Sequence, residues 1–259
     1  MIKIIDPILV SFYSIEIRWY GFLIVLALVI SLFILNYLLK KEENLDLDFF
    51  LDFFILALPI GILAARLYYV LFNLNYYLKE PAKILAINEG GLAIHGGLLA
   101  GIVVLYVFSL KKENNFLLTL DYLAPLTAFS QAIGRWGNFI NQEAYGKIVK
   151  QNYYSFLPKF IKKQMYINGS YREATFLYES IADFLLFVFL LFYLRSKNKK
   201  RGEVFAFYLI FYSLARFFIE EQRVDSLLIY EFQLAKLISL VLILIGLSLL
   251  FYINKFNQS

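Results

Sequence analysis

The stretch that decides the fold is residues 19–39, WYGFLIVLALVISLFILNYLL, in which none of the 21 side chains is charged. A helix of about 20 apolar residues is long enough to cross ~30 Å of hydrocarbon. Its length, together with the lack of a basic run before it and of a small-residue cleavage site after it, distinguishes it from a cleaved signal peptide. We therefore expect a transmembrane helix that remains in the mature protein.

Comparable stretches recur along the chain, of which 61% of 259 residues are hydrophobic and only 17% charged. A soluble domain carries about one quarter charged residues. The pattern predicts seven transmembrane helices, near residues 19–39, 49–72, 92–110, 119–139, 176–195, 203–222 and 233–253. The expected fold class is all-α, with residues 1–259 forming a single polytopic transmembrane bundle.

Short basic loops orient these helices. Lysine and arginine cluster after the first, third and fifth predicted spans, at Lys40–Lys41, Lys111–Lys112 and residues 195–201. Cytoplasmic loops are enriched in these residues, so we expect the N-terminus outside and the C-terminus in the cytoplasm. The same topology explains the net charge of +5 without an acidic partner such as nucleic acid.

Residues 140–175 form a longer polar segment on the predicted outer face. Aromatic residues such as Tyr153, Phe156 and Phe160 alternate there with basic ones. The basic residues are Lys147, Lys150, Lys159, Lys162, Lys163 and Arg172. We predict an external arm that lies on anionic lipid headgroups.

Polar side chains occur inside the predicted spans, where a charge costs at least ~2.5 kcal/mol. Spacings of three and four place two sets on single helix faces, Gln131, Arg135, Asn138 and Gln142 in the fourth span and Tyr212, Arg216, Glu220 and Arg223 in the sixth. One explanation is a buried pair of Arg216 and Glu220 that braces the bundle. The surplus of arginine over nearby acid favours a bound anion.

Arg66 in the second span adds a further cation, and we expect it to line a phosphate pocket with Arg135 and Arg216. Arginine suits this role because its planar fork gives paired hydrogen bonds to phosphate oxygens. A lipid headgroup is the phosphate most available to a cavity in a membrane. The arginines would thus supply the positive charge that a metal supplies elsewhere.

His95, the only histidine, lies in a glycine-rich run at residues 90–97. Glycines of this kind are typical of close helix packing, but packing does not explain the imidazole. A histidine titrates close to neutral pH, so a role in proton transfer is also open. The chain has no cysteine, which excludes disulfides and the usual zinc sites built from histidine and cysteine.

The run at residues 134–146, GRWGNFINQEAYG, resembles the defining motif of the prolipoprotein diacylglyceryl transferase family. Further blocks follow in the family's order and extend the resemblance over nearly the whole chain. They are Arg18–Gly21, Ala65–Leu67, the glycine run ending at His95–Gly97, Thr175–Glu179, and Tyr212 through Leu227.

The resemblance implies transfer of diacylglycerol from phosphatidylglycerol to the lipobox cysteine of a preprolipoprotein at the outer face of the bacterial plasma (inner) membrane. It implies no cofactor and no metal. Arg135 and Arg216 would hold the headgroup phosphate, and His95 would help remove the thiol proton. Further residues would bind or orient the lipid or brace the cleft: Tyr20, Arg66, Asn138, Glu143, Gly146, Tyr212, Glu220 and Arg223.

Two other functions remain as alternatives. A small secondary transporter also needs buried charges and glycine-broken helices, but it is often built from inverted repeats, which the sequence does not show. An intramembrane protease needs a motif such as His-Glu-x-x-His or a pair of intramembrane aspartates. Asp183, alone in the fifth span, does not form such a pair.

Overall fold

The computed structural model describes residues 5–256 except 14, 41, 43 and 87–89, so Lys41 lies outside the described residues. Within them the chain forms seven helices of 18 residues or more. These are α1 (Trp19–Leu39), α2 (Leu47–Phe72), α4 (Ile94–Lys111), α5 (Phe116–Asn141), α7 (Thr175–Leu194), α8 (Glu203–Glu220) and α9 (Leu234–Phe256). The described residues also form two short α-helices, α3 (Leu74–Tyr77) and α6 (Lys159–Gln164), and two 3₁₀ helices at Pro81–Leu85 and Gln151–Tyr154.

The seven long helices coincide with the seven predicted stretches, and no end differs by more than three residues. Five of them, α1, α2, α5, α7 and α9, are long and apolar enough to cross a membrane. The other two long helices are not among these five. Helix α4 is apolar but at the lower limit of length, and α8 has three charged residues, Glu203, Arg216 and Glu220, within 18 positions. The chain is therefore a polytopic helical membrane protein.

Three short antiparallel hairpins interrupt the helical fold, and the expectation of an all-α chain did not include them. They pair β1 (Ile8–Phe12) with β2 (Ile15–Arg18), β3 (Tyr166–Ile167) with β4 (Ser170–Tyr171), and β5 (Leu228–Ile229) with β6 (Phe232–Gln233). Tyr13 and Tyr230 adopt positive φ at the tips of the first and third hairpins. The strands of the second and third hairpins have two residues each, fewer than the four to eight over which an alternating pattern identifies a strand.

The chain divides into two compact units, and residues 36–119 form one of them. Here α2 begins at an N-cap, Asp46, whose side chain accepts a hydrogen bond from Phe49 N at 2.8 Å. Helices α2 and α4 pack closely at Gly96, where any Cβ would lie only 2.6 Å from Ala64 O. The packing interpretation of the glycine run is thus confirmed for Gly96.

The other unit contains residues 1–35 and 120–259, and its successive helices run antiparallel. Early α1 lies beside late α5, early α7 beside late α5, and early α8 beside late α7. Pairs that establish these directions are Tyr20 with Gly137, Phe139 with Phe176, and Tyr193 with Glu203. Gln233, just before α9, donates to Glu220 O at the end of α8. Hairpin β1–β2, residues 142–174 and hairpin β5–β6 consequently emerge at one end of this unit.

The segment between α5 and α7 folds down onto the ends of these two helices. Ile161 of α6 and Met165 join a buried cluster with Phe139 in the last turns of α5 and Phe176 in the first turn of α7. Gln164 of α6 donates to Ile140 O at 3.0 Å and so satisfies a carbonyl at the α5 terminus. The arm predicted from the sequence is therefore held at the level of the helix ends.

Candidate active site

Two of the predicted arginines meet at one carboxylate. Arg135 extends from α5 and Arg216 from α8, and both reach Glu179 on α7. Arg135 Nε lies 2.7 Å from Glu179 Oε2, and Arg216 Nη1 donates to Oε1 at 2.7 Å. The Glu179 side chain is only 3% exposed. The polar faces of α5 and α8 are thus joined through a third helix.

Arg216 also forms the ion pair with Glu220 that their spacing along α8 suggested. Arg216 Nη2 lies 2.6 Å from Glu220 Oε2, four residues further along α8, and Glu220 is buried. On α7, Asp183 Oδ2 lies 4.0 Å from Arg135 Nε. The bracing pair of Arg216 and Glu220 therefore exists, and it is one part of a larger ionic cluster.

Arg223 enters the cluster from the turn after α8. Its Nε and Nη2 donate to the two oxygens of Asp225 at 3.0 and 3.1 Å, and its Nη1 lies 3.7 Å from Glu179 Oε1. The backbone of Arg223 pairs with that of Gly146 in an antiparallel bridge. A Cβ at Gly146 would lie 2.8 Å from Glu173 Cβ and 3.1 Å from the carbonyl oxygen of Gln222, so glycine permits the close approach of the backbone next to Arg223.

The expected surplus of arginine is not found among the described residues. Four carboxylates lie within 4.0 Å of three arginines. The carboxylates are Glu179, Asp183, Glu220 and Asp225, and the arginines are Arg135, Arg216 and Arg223. Two of the four carboxylates come from α7, so the spacing of residues along α5 and α8 did not reveal them.

Hydrogen bonding in the cluster is incomplete within the described part of the chain. Arg135 Nε and one oxygen each of Glu179, Asp183 and Glu220 are buried without a hydrogen-bond partner of suitable geometry, although opposite charges lie close by. Such groups are rare in folded proteins and need a specific explanation. The cavity between them has about 10 Å³, the room of one water molecule. An anion that contacts Arg135 Nε from this cavity must therefore displace a carboxylate.

Two further predicted site residues form a loop beside the cluster. Asn138 Nδ2 donates to Glu143 Oε1 at 3.0 Å, and Asn141 Nδ2 donates to the same oxygen at 3.1 Å. Ala144, at φ 55°, donates its N–H to Asp225 Oδ2 at 3.0 Å. The loop after α5 is thus fixed at one end by Asn138 and at the other by the partner of Arg223.

The two predicted tyrosines lie on either side of α5. A Cβ on Gly137 would clash with the ring of Tyr20, so this ring rests against bare backbone two residues from Arg135. Tyr212 lines the small cavity and stacks on Tyr208 at 5.6 Å between ring centroids. Both tyrosines that the sequence analysis named are therefore close to the ionic cluster.

His95 belongs to the compact unit of residues 36–119. It is the second residue of α4, its side chain is exposed, and its ring centroid lies 6.5 Å from that of Tyr68. No hydrogen bond to the imidazole occurs within the described residues. A role for His95 in proton transfer stays a prediction.

Arg66 has a structural role that the sequence analysis did not foresee. It is 4% exposed and donates four hydrogen bonds to backbone carbonyls. The acceptors are the oxygens of Lys83 at 2.6 Å, Ile84 at 2.9 Å, Gly90 at 2.6 Å and Gly91 at 3.0 Å. These bonds use the guanidinium fork, so a phosphate at Arg66 would have to replace some of them, and phosphate binding by Arg66 stays a prediction. The residue ties residues 83–84 to residues 90–91.

The sequence analysis did not assign a role to Glu179 or Asp225 and set Asp183 aside. One signal was available, since Glu179 and Asp183 are two acids four residues apart in a predicted span and must share one helix face. Asp225 lies outside the helices, and its part in the site depends on contacts with Ala144 and Arg223.

These observations define a polytopic helical membrane protein with a buried cluster of arginine and carboxylate side chains near one end of antiparallel helices. The chain belongs to the prolipoprotein diacylglyceryl transferase family, whose model matches residues 7–252.

Curated relatives match over almost the whole chain. The phosphatidylglycerol-prolipoprotein diacylglyceryl transferase of Clostridium novyi is 47% identical over 254 residues, which cover 98% of each protein. The enzyme of the same name from Streptococcus agalactiae is 44% identical and covers 96% of each. That of Streptococcus pneumoniae is 44% identical over 97% of this chain and 95% of its own length.

Proposed function

We propose that this protein transfers the diacylglyceryl group of phosphatidylglycerol to the lipobox cysteine of a preprolipoprotein and releases glycerol phosphate. The relatives are named for phosphatidylglycerol and for prolipoprotein, and they align with this chain nearly end to end. The buried carboxylate of Glu179, which contacts both Arg135 and Arg216, connects the proposal to particular residues. It supports a site in which two arginines jointly hold one anion.

In the reaction, the cysteine thiol loses its proton and its sulfur attacks a glyceryl carbon. The bond from that carbon to the phosphate oxygen breaks, and the bonding electrons leave with the phosphate. Negative charge gathers on this oxygen in the transition state, where fixed cationic donors stabilise it most. Arg135 and Arg216 supply those donors, because their positions are set before the lipid arrives.

Glu179 contacts Arg135 at Nε and Arg216 at Nη1 until the lipid binds. A phosphate offers acceptor oxygens in an arrangement similar to that of a carboxylate, so it replaces Glu179 without reorienting the guanidinium groups. The cavity of about 10 Å³ accommodates no headgroup beside the carboxylate. Binding is therefore an exchange of one anion for another.

His95 takes the proton from the thiol in this proposal. A free cysteine has a pKa near ~8.5, which leaves only a few per cent thiolate at neutral pH, so a base accelerates the attack. The exposed imidazole at the start of α4 supports this role.

The remaining site residues position the lipid or the arginines. Asn138 and Glu143 present the polar loop after α5, Tyr20 and Tyr212 flank Arg135, and Gly146 sets the backbone of Arg223. Glu220 braces Arg216 from the same helix.

We further propose that all seven long helices span the bacterial inner membrane, with the N-terminus and the ionic cluster toward the outer leaflet. Basic residues after α1, α4 and α7 support this orientation. Helix α8, with 18 residues at 1.5 Å each, has a length of about 27 Å, close to the hydrocarbon thickness. The chain has no cysteine, so single substitutions Glu231→Cys, at an exposed position in hairpin β5–β6, and Asn198→Cys can be labelled uniquely in sealed cells. Labelling of Asn198→Cys from outside would contradict the orientation.

The proposed activity is tested by mass spectrometry of a synthetic lipobox peptide incubated with the purified protein and phosphatidylglycerol. We expect a diacylglyceryl mass gain on the cysteine. Arg135→Ala should lower the rate at least about a hundredfold because it removes a donor of charge stabilisation. The matched control is Arg201→Ala, at an exposed position before α8, which should keep the full rate.

Two results would contradict parts of this proposal. Full activity of Arg135→Ala would remove that arginine from the anion site. No mass gain, in micelles where a control enzyme of the family works, would end the transferase proposal for this chain and favour the transporter alternative, which uptake into proteoliposomes then tests.

A further inference from the structure

The arm between α5 and α7 carries an unbalanced positive charge. Residues 144–172 contain no aspartate or glutamate, whereas five lysines and Arg172 occur among them. Four of these lysines, Lys147, Lys150, Lys159 and Lys163, are exposed. The fifth, Lys162, lies over the ring of Tyr171 at 5.7 Å. The partner that complements such a surface is negatively charged.

Apolar side chains share this surface with the lysines. Phe156 is 97% exposed, and Phe160 is 46% exposed. Helix α6 buries Ile161 against the cluster at the helix ends and turns Lys159, Phe160 and Lys163 outward. We call Phe156, Lys159, Phe160 and Lys163 the basic-aromatic patch. A soluble partner surface would leave Phe156 in water whenever that partner was absent.

The position of the arm places the patch where a membrane surface lies. The arm joins two helices that are long and apolar enough to span a membrane, and its core residues pack on their last and first turns. Two other loops at this end also carry aromatic tips, Tyr13 at 95% and Tyr230 at 96% exposure. Aromatic residues at one end of a helical bundle are typical of the membrane–water interface.

We infer that the basic-aromatic patch is a membrane attachment site that binds anionic lipid headgroups through Lys159 and Lys163 and inserts Phe156 and Phe160 among the acyl chains. The attachment holds the arm, and with it the loop containing Gly146, at the bilayer surface. Lysines near an anionic surface each increase binding about fivefold, and that attraction is lost in a zwitterionic bilayer. The inference needs membrane insertion of the chain and does not depend on the transferase proposal.

The test measures the depth of a spin label at the arm in the full-length protein. Ser155→Cys, at an exposed position beside Phe156, is labelled with a nitroxide in the otherwise cysteine-free chain. The protein is placed in nanodiscs of phosphatidylcholine with or without about one third phosphatidylserine. Accessibility to oxygen and to a water-soluble nickel chelate then gives the depth of the label by electron paramagnetic resonance.

We expect the label to be buried in the anionic discs and nearer to water in the zwitterionic ones. Lys159→Gln together with Lys163→Gln should reduce the ratio of buried to water-exposed label about 25-fold in anionic discs. The matched control, Lys197→Gln with Arg201→Gln at the opposite end of α7, should leave the depth unchanged.

Equal depth in both kinds of disc, or a water-exposed label in both, would overturn the inference, as would a double lysine variant that keeps the depth of the parent. Phosphatidylserine is used because it is not the phospholipid in the relatives' name, so the depth and the transfer reaction are measured independently. A failed depth measurement would therefore not contradict the transferase proposal, and a failed transfer assay would not contradict the membrane attachment site.

Discussion

Replacing Glu179 with glutamine tests whether one buried carboxylate holds the two arginines in place. The substitution keeps the shape of the side chain and removes its charge. Both carboxylate oxygens lie 2.7 Å from a guanidinium nitrogen, and the side chain is 3% exposed. Removing one partner of a buried ion pair costs about 3–5 kcal/mol. At about 2–4 °C per kcal/mol for a chain of this size, we expect the melting temperature to fall by about 6–20 °C.

The effect is measured by thermal unfolding in detergent micelles, followed by tryptophan fluorescence. Trp136 reports on the site because its indole donates to Ser180, the neighbour of Glu179, at 3.2 Å. The matched control is Glu221→Gln, whose side chain is 63% exposed and pairs with Lys236 at 3.5 Å. An exposed pair contributes at most about 1 kcal/mol, so this variant should melt within about 4 °C of the parent.

Transfer activity separates a positioning role for Glu179 from a purely structural one. Misplacing a catalytic group by about 1 Å costs about a hundredfold in rate, and we expect a loss of that size per folded molecule well below the melting temperature. A Glu179→Gln protein that melts like Glu221→Gln and transfers at the parent rate would refute the reasoning. A variant that is destabilised but fully active when folded would limit Glu179 to a structural role.

Three further substitutions follow from individual contacts. Gly146→Ala should lower the free energy of unfolding by about 1–3 kcal/mol through overpacking and should also lower the transfer rate. Gly134→Ala, which has open space at its Cβ, should be neutral or stabilising. Equal melting temperatures of the two variants would contradict the packing argument. Arg66→Lys loses the fork that binds four carbonyls, so deuterium exchange of residues 83–86 and 90–91 should accelerate, and unchanged exchange would refute the tether. Asp121→Asn should destabilise the protein by about 1–2 kcal/mol, because the buried carboxylate caps α8 through two backbone N–H groups; an unchanged melting temperature would show that the cap contributes little.

Much of the site was visible in the sequence because helical periodicity is a local property. Arg135 and Asn138 fall on one face of α5, and Arg216 and Glu220 on one face of α8, from spacing alone. The structure confirms that both faces turn toward a common cluster. The sequence did not show which acid joins them, since any intramembrane carboxylate was a candidate and the packing of α7 selects Glu179.

Two assignments show what residue type and spacing leave open when the neighbours in space are unknown. Arg66 has the burial and charge expected of a phosphate ligand, yet its donors bind carbonyls 17 to 25 residues away in the chain. Gly146 was named only through the resemblance to the family. Its physical reason is the close contact with Glu173 and the backbone bridge to Arg223.

The sequence by itself determined that the chain is a helical membrane protein, where its long helices begin and end within three residues, and which family it resembles. These properties follow from the hydrophobicity of contiguous stretches and from motifs of neighbouring residues. Only the tertiary structure decided that Glu179 links Arg135 to Arg216 and that Asp225 fixes both Ala144 and Arg223. The contacts of Glu179 with the two arginines and of Asp225 with Ala144 join positions 37 to 81 residues apart, and such pairings depend on how helices pack, which no local pattern encodes.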